Sequence, residues 1–140
     1  MTTTIPAART RRGLVIAVAV TVAVVAVLVA VLWPSPAGPT VLHAASTHYA
    51  VTATVRNPRP GTTSVDIDLA DPGGRPVGGA TVRIQPVMPQ MGHAGPPVTA
   101  VPTGGGGYRA DNVPLMMAGS WQLLLSVGAD RLTLSLPVSG

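Results

Sequence analysis

Two short stretches concentrate the residues best suited to chemistry. One is Met88-Pro89-Gln90-Met91-Gly92-His93; the other is Met116-Met117-Ala118-Gly119-Ser120-Trp121. Four of the five methionines lie in them, and the fifth is Met1. A thioether is a soft, neutral ligand that prefers Cu(I), and an imidazole can complete such a site. The spacing Met88-x-x-Met91-x-His93 lets one loop offer three donors. Met117, or Met116 in its place, closes the set if the two stretches meet. The competing reading is structural, because Met routinely fills irregular gaps in cores. On the alternation that begins at Ala80, Met88 faces inward, and Met116 or Met117 can pack under Trp121. His93, between Gly92 and Gly95, is then a loop histidine. The sequence leaves both readings open.

Other chemistry has little to work with. There is no cysteine, which excludes disulfides, thiolate metal sites and cysteine catalysis. Nucleophilic hydrolysis needs a base and an orienting acid placed together. The histidines are His43, His48 and His93, and none sits in a recognisable motif. Asp66 and Asp68 alternate onto one wet strand face, where solvated carboxylates are the ordinary case. The glycines 104–107 are no phosphate cradle, since neither a helix nor a Lys follows them. The chain is therefore expected to be non-enzymatic. The formal charge of +4 is also misleading. Arg9, Arg11 and Arg12 precede an apolar run, and the remainder has six Arg against five Asp, scattered along the chain. Nucleic-acid binding wants a clustered basic face with stacking aromatics, so no nucleic-acid partner is expected.

The candidate residues need elements to hold them. Leu14 to Leu32 is a 19-residue run whose only polar member is Thr21. At ~1.5 Å per residue it spans roughly 28 Å as a helix, close to the hydrocarbon thickness of a bilayer. A strand of that length would leave its backbone unpaired in lipid, so a helix is expected. Trp33 suits the interface and Pro34 ends the helix. The arginines ahead of the run place the N-terminus in the cytoplasm and the rest outside. A cleaved signal peptide is the alternative, although its apolar region is normally shorter, ~7–15 residues. The expected organisation is a basic cytoplasmic tail (1–13), a transmembrane helix (14–33) contacting the lipid bilayer, a Pro-rich linker (34–47) and an extracytoplasmic domain (48–140).

Past the linker the apolar period becomes two. Tyr49, Val51, Ala53 and Val55 alternate with small or polar residues. So do Val65, Ile67 and Leu69, then Ala80, Val82 and Ile84, then Trp121, Leu123, Leu125 and Val127, then Leu132, Leu134, Leu136 and Val138. Strict alternation marks strands with one buried and one wet face. Leu124 breaks the wet face of its strand, which suggests cover on both sides. Turn signals separate the runs, and Gly128-Ala129-Asp130 predicts a C-terminal hairpin. Weaker strands are expected over Pro97–Val101 and Gly107–Asn112. About seven short strands and no helical period beyond the anchor predict an all-β, immunoglobulin-like β-sandwich preceded by one N-terminal transmembrane helix. A small barrel is the architectural alternative.

The ordered set Met88, Pro89, Met91, Gly92, His93, then Tyr108, then Met117, Gly119 and Trp121 resembles the YtkA-like domain. It is also similar to FixH-like accessory proteins. The resemblance runs over about residues 48–138. It departs from the pattern at the doubled Met116-Met117 and at Ser120. The resemblance implies a small β-sandwich without catalytic activity, found with copper-handling or respiratory-complex assembly proteins. The expected function is thus a membrane-anchored accessory module that binds or passes copper(I) through Met88, Met91, His93 and Met117. The alternative is a metal-free structural or assembly subunit that contacts a membrane complex.

Overall fold

The computed structural model describes residues 8–32 and 38–140, with helix side chains described from 16 to 30. Residues 1–7 of the expected tail, Trp33, Pro34 and linker residues 35–37 lie outside the described residues. Two compact units divide the chain, Met1–Pro36 and Ala37–Gly140.

The first unit contains one helix, α1 (Ala8–Leu32). Its described side chains, 16–30, are all exposed. They are apolar around the whole circumference except Thr21, whose hydroxyl donates back to the Ala17 carbonyl at 2.9 Å. That bond removes the one polar group from the helix surface. Among the described residues no helix is long and apolar enough to cross a membrane.

The second unit is all β. Its strands are β1 (Thr40–Ala45), β2 (Ala50–Val55), β3 (Gly61–Ala70), β4 (Val82–Met88), β5 (His93–Ala94), β6 (Val98–Thr99), β7 (Val101–Gly104), β8 (Gly107–Leu115), β9 (Gly119–Val127) and β10 (Asp130–Val138). All pairings are antiparallel. One sheet has the order β1-β2-β3-β8-β7; the other has β10-β9-β4-β5, with β6 also pairing to β4. The inward residues of both sheets form one core. It includes Val51, Ile67, Leu69, Ile84, Tyr108, Leu115, Trp121, Leu125 and Leu134, all buried. The layers therefore stack in a sandwich-like arrangement, as the period of two predicts.

Three expectations are corrected here. Residues 40–45, read as linker, form the edge strand β1, whose Leu42 and Ala44 lie against the core. The alternation there is carried by one Leu and small Ala residues, too weak a signal to separate it from a spacer. The weak strand expected over Pro97–Val101 is two strands, β6 and β7, broken at the buried Ala100. Leu124 is not covered on both sides; it stands on the outward face, 36% exposed.

The turns follow their glycines. The predicted hairpin joins β9 to β10 through Gly128-Ala129. Only Gly128 has positive φ, at 56°, the pattern of a type II′ turn. Gly105 and Gly106 link β7 to β8 with φ of 59° and 78°, as a type I′ turn requires. Within β8 the register shifts opposite Ser64, because Asp111 and Asn112 together face one residue of β3. This is a β-bulge, and Asn112 takes φ 59°, a conformation Asn tolerates better than most residues. The Ser64 hydroxyl donates to Asp111 Oδ1 at 2.7 Å. That bond, then Arg109, holds the Asp111 carboxyl below its ordinary range.

The loop between β3 and β4 is pinned from inside. The Tyr108 hydroxyl donates to the Val77 carbonyl at 3.1 Å and accepts from the Ala80 amide at 3.0 Å. Where β1 lies beside β10, a second pin joins the sheets. Ser46 Oγ donates to Asp130 Oδ2 at 2.5 Å, and His48 Nδ1 lies 3.1 Å from the same oxygen. The serine is the chief cause of a lowered Asp130 pKa; His48 adds to it, and desolvation opposes both.

A carboxyl with a depressed folded-state pKa stabilises above its unfolded pKa and loses that contribution as pH falls through the folded value. The β1–β10 pin is therefore strongest at neutral pH and fails under acid. Ser46→Ala is expected to raise the Asp130 pKa and flatten the acid limb of the stability curve. Carboxyl-carbon NMR titration with urea melts at several pH values reads both. An unchanged Asp130 titration in the variant contradicts the assignment.

Candidate functional site

The two methionine stretches meet at one end of the sandwich. The first leaves the core along β4, where the alternation Val82, Ile84, Pro86, Met88 remains buried throughout. Pro86 does not shift the register. A short 3₁₀ turn, Pro89–Met91, follows and ends at Gly92 with φ 59°. The chain then reverses into β5, so that His93 pairs directly opposite Met88. Opposite residues in an antiparallel pair share a sheet face. His93 nevertheless lies beyond the rim, exposed to solvent.

The second stretch supplies the other wall. Gly119 opens β9 at φ 142°. A Cβ there would lie 3.0 Å from the Met88 methyl and 4.0 Å from its sulfur. Met88 is thus packed directly beneath the Gly119 backbone, and the glycine is required by conformation and by space together. Trp121 is 1% exposed and joins the two stretches. Its indole Nε1–H donates to the Met117 carbonyl at 2.9 Å. Its ring meets the His93 imidazole edge-on, with centroids 6.2 Å apart at 87°. Both contacts suit a buried indole, which needs an acceptor for its N–H and favours T-shaped ring pairs. The need for an N–H partner was readable from a Trp at an inward strand position; the partner was not.

The four expected donors separate into two kinds. Met88 is buried at 3% and belongs to the core. Met91 and Met117 are 65% and 45% exposed, and Met116 is 64% exposed. The His93 ring makes no hydrogen bond among the described residues. Solvent-facing thioethers suit a soft monovalent ion such as Cu(I). They do not suit a hard cation, and among the described residues no three of His and Asp converge to hold a metal.

The YtkA-like family model matches residues 43–126, more than half of the chain. The chain belongs to the YtkA-like family. No curated protein and no solved structure gives a match. The YtkA-like match starts within β1 and ends just short of the end of β9, so it takes in both methionine stretches. It leaves out β10, although β10 pairs with β9 along its whole length.

Burial predicts how the YtkA-like methionines respond to truncation. Met88→Ala is expected to destabilise by about 2–5 kcal/mol, as deletions of buried Met do. Met91→Ala should stay within about 0.5 kcal/mol, as exposed substitutions do. Gly119→Ala should cost about 1–3 kcal/mol from its positive φ and the Met88 contact. Urea unfolding of the three variants checks the order. Equal effects at Met88 and Met91 would contradict the division into core and surface.

Proposed function

We propose that this YtkA-like protein is a non-enzymatic, membrane-anchored accessory module that binds or passes copper(I) at the exposed methionine end of its β-sandwich. Met91, His93 and Met117 supply the donors, with Met116 available beside Met117. Met88 sets the loop from below by filling the space under Gly119. The observation that carries the reading is the exposure of these soft donors on two stretches tied together through Trp121. Exposed Met is costly as a packing choice but natural for a soft ion that must be released to a partner. The partners consistent with this chemistry are copper-handling or respiratory-complex assembly proteins, and the alternating two-sheet layout fits an immunoglobulin-like class.

A Cu(I) titration of the full chain in neutral detergent, under reducing conditions, tests the site. Stoichiometric binding is expected, weakened at least about tenfold, or ~1.4 kcal/mol, by Met91→Ala and by His93→Ala. Binding no tighter than micromolar, or binding indifferent to both substitutions, removes the copper reading. A metal-free assembly subunit is then favoured, with Val101, 65% exposed, as a contact surface.

The anchor rests on the apolar run that continues in the sequence from Leu14 to Leu32, with Arg9, Arg11 and Arg12 ahead of it. By the positive-inside rule the tail is cytoplasmic and the β domain extracytoplasmic. After alkaline carbonate extraction the full chain should remain in the membrane pellet; its release to the supernatant would refute the anchor.

A further inference from the structure

The charges of the β domain are divided unequally between its two sheets. On the β1-β2-β3-β8-β7 sheet, acids and arginines answer each other. Arg56 Nε lies 2.7 Å from Asp66, and Arg109 lies 2.9 Å from Asp111 and 3.7 Å from Asp66. The strands of the other sheet carry a single acid, Asp130, whose carboxylate is taken up by Ser46 and His48. They carry two arginines, Arg83 and Arg131, and neither has a hydrogen bond or ion pair among the described residues.

The pairing registers place these two arginines on one line. Ser126 of β9 pairs with Arg83 of β4 on one side and with Arg131 of β10 on the other. Directly opposite residues share a face, so the order Arg83–Ser126–Arg131 runs straight across three strands on the outward side. Neighbouring strands lie ~4.8 Å apart, which puts the two arginine Cα atoms about 10 Å apart with a hydroxyl between them. Gln85 and Thr133 flank Leu124 in the adjoining row. The row floors a shallow depression of about 450 Å³ lined by Arg83, Gln85, Pro97, Leu124, Arg131 and Thr133. A second, of about 330 Å³, shares Arg83, Ser126 and Arg131.

Two like charges about 10 Å apart on one exposed face repel weakly. On the other sheet every such arginine is met by a carboxylate, and here none is supplied by the chain. An external anion can meet both. Guanidinium groups present planar forks of donors that match phosphate oxygens. A tetrahedral phosphate directs its oxygens out of a single plane, toward two forks on opposite sides and a hydroxyl below. A carboxylate such as Asp66 can bridge two arginines, but it has two oxygens in one plane and a single charge, against four tetrahedrally placed oxygens on free phosphate. We propose that Arg83, Ser126 and Arg131 form a binding site for a phosphate-class oxyanion, free or carried on a lipid headgroup. This site stands apart from the methionine end and does not rest on the copper reading.

Arginine side-chain Nε–H resonances of the full chain read the site directly. In neutral micelles, inorganic phosphate should shift the Arg83 and Arg131 signals saturably, while acetate at equal ionic strength does not. Arg83→Gln or Arg131→Gln should raise the half-saturating phosphate concentration about fivefold, the size of one exposed ion pair of ~1 kcal/mol. Arg75→Gln, which removes the same charge from a turn, should leave it unchanged. The same two signals are then compared in phosphatidylglycerol and phosphatidylcholine nanodiscs. Shifts with free phosphate alone identify a soluble ligand. Shifts with phosphatidylglycerol, with or without a response to free phosphate, identify a lipid headgroup. An absence of shifts in every arm, an equal response to acetate, or an equal loss in Arg75→Gln overturns the proposal.

Discussion

A strand that alternates apolar and polar residues has one register in which its apolar face is dry, and a slip of one residue turns that face to water. The β domain depends on this constraint, because it has no disulfide and a core built almost wholly from aliphatic residues. Among the described residues outside the apolar and aromatic types, Thr63 alone is buried, and no buried side-chain polar atom there lacks a partner. With phase fixed by burial, the two sheets can meet in one arrangement. That phase decides the chemistry at the rim as well. Met88 is on the inward phase of β4 and is spent on packing. Met91, three residues on and past the strand end, is released from it.

The same constraint explains what the sequence discloses and what it withholds. The long alternating runs were legible, and β2, β3, β4, β9 and β10 appear where the period of two puts them. The membership of Met88 in the core was legible too, once the phase from Ala80 was followed. The strand β1 was not, because Ala and His carry little hydropathy contrast and its inward side chains are only half covered. The bulge at Asp111-Asn112 was hidden because an extra residue leaves no mark in a pattern whose partner is unknown. Leu124 misled because one apolar residue on a wet face is normal on protein surfaces. The meeting of the two methionine stretches needed the pairing of β4 with both β5 and β9, which no local spacing contains.

Pairing also explains the charges. Arg83 and Arg131 look scattered along the chain, and their proximity arises only because Ser126 of the strand between them pairs with each. On the opposite sheet, Arg109 pairs directly with Asp66, while Arg56, just past the end of β2, reaches the same carboxylate diagonally. Each face thus brings two arginines toward one central residue, in a straight row on one and partly along a diagonal on the other. They differ in the central residue. A carboxylate stands between the arginines on one face and a neutral hydroxyl on the other. The near-balance of six Arg against five Asp in the chain after the apolar run conceals this asymmetry.

Both candidate sites are carried by β9, and its geometry keeps them independent. Trp121 lies near its start and Ser126 near its end, five residues apart, or about 17 Å along an extended strand. They also differ in phase: Trp121 is inward and Ser126 outward. A change at the methionine end therefore reaches the arginine row only by displacing the whole strand, and β9 is held on both sides by β4 and β10. Perturbations at sites this far apart without shared partners generally add. Occupying one candidate site should therefore leave the affinity of the other unaltered.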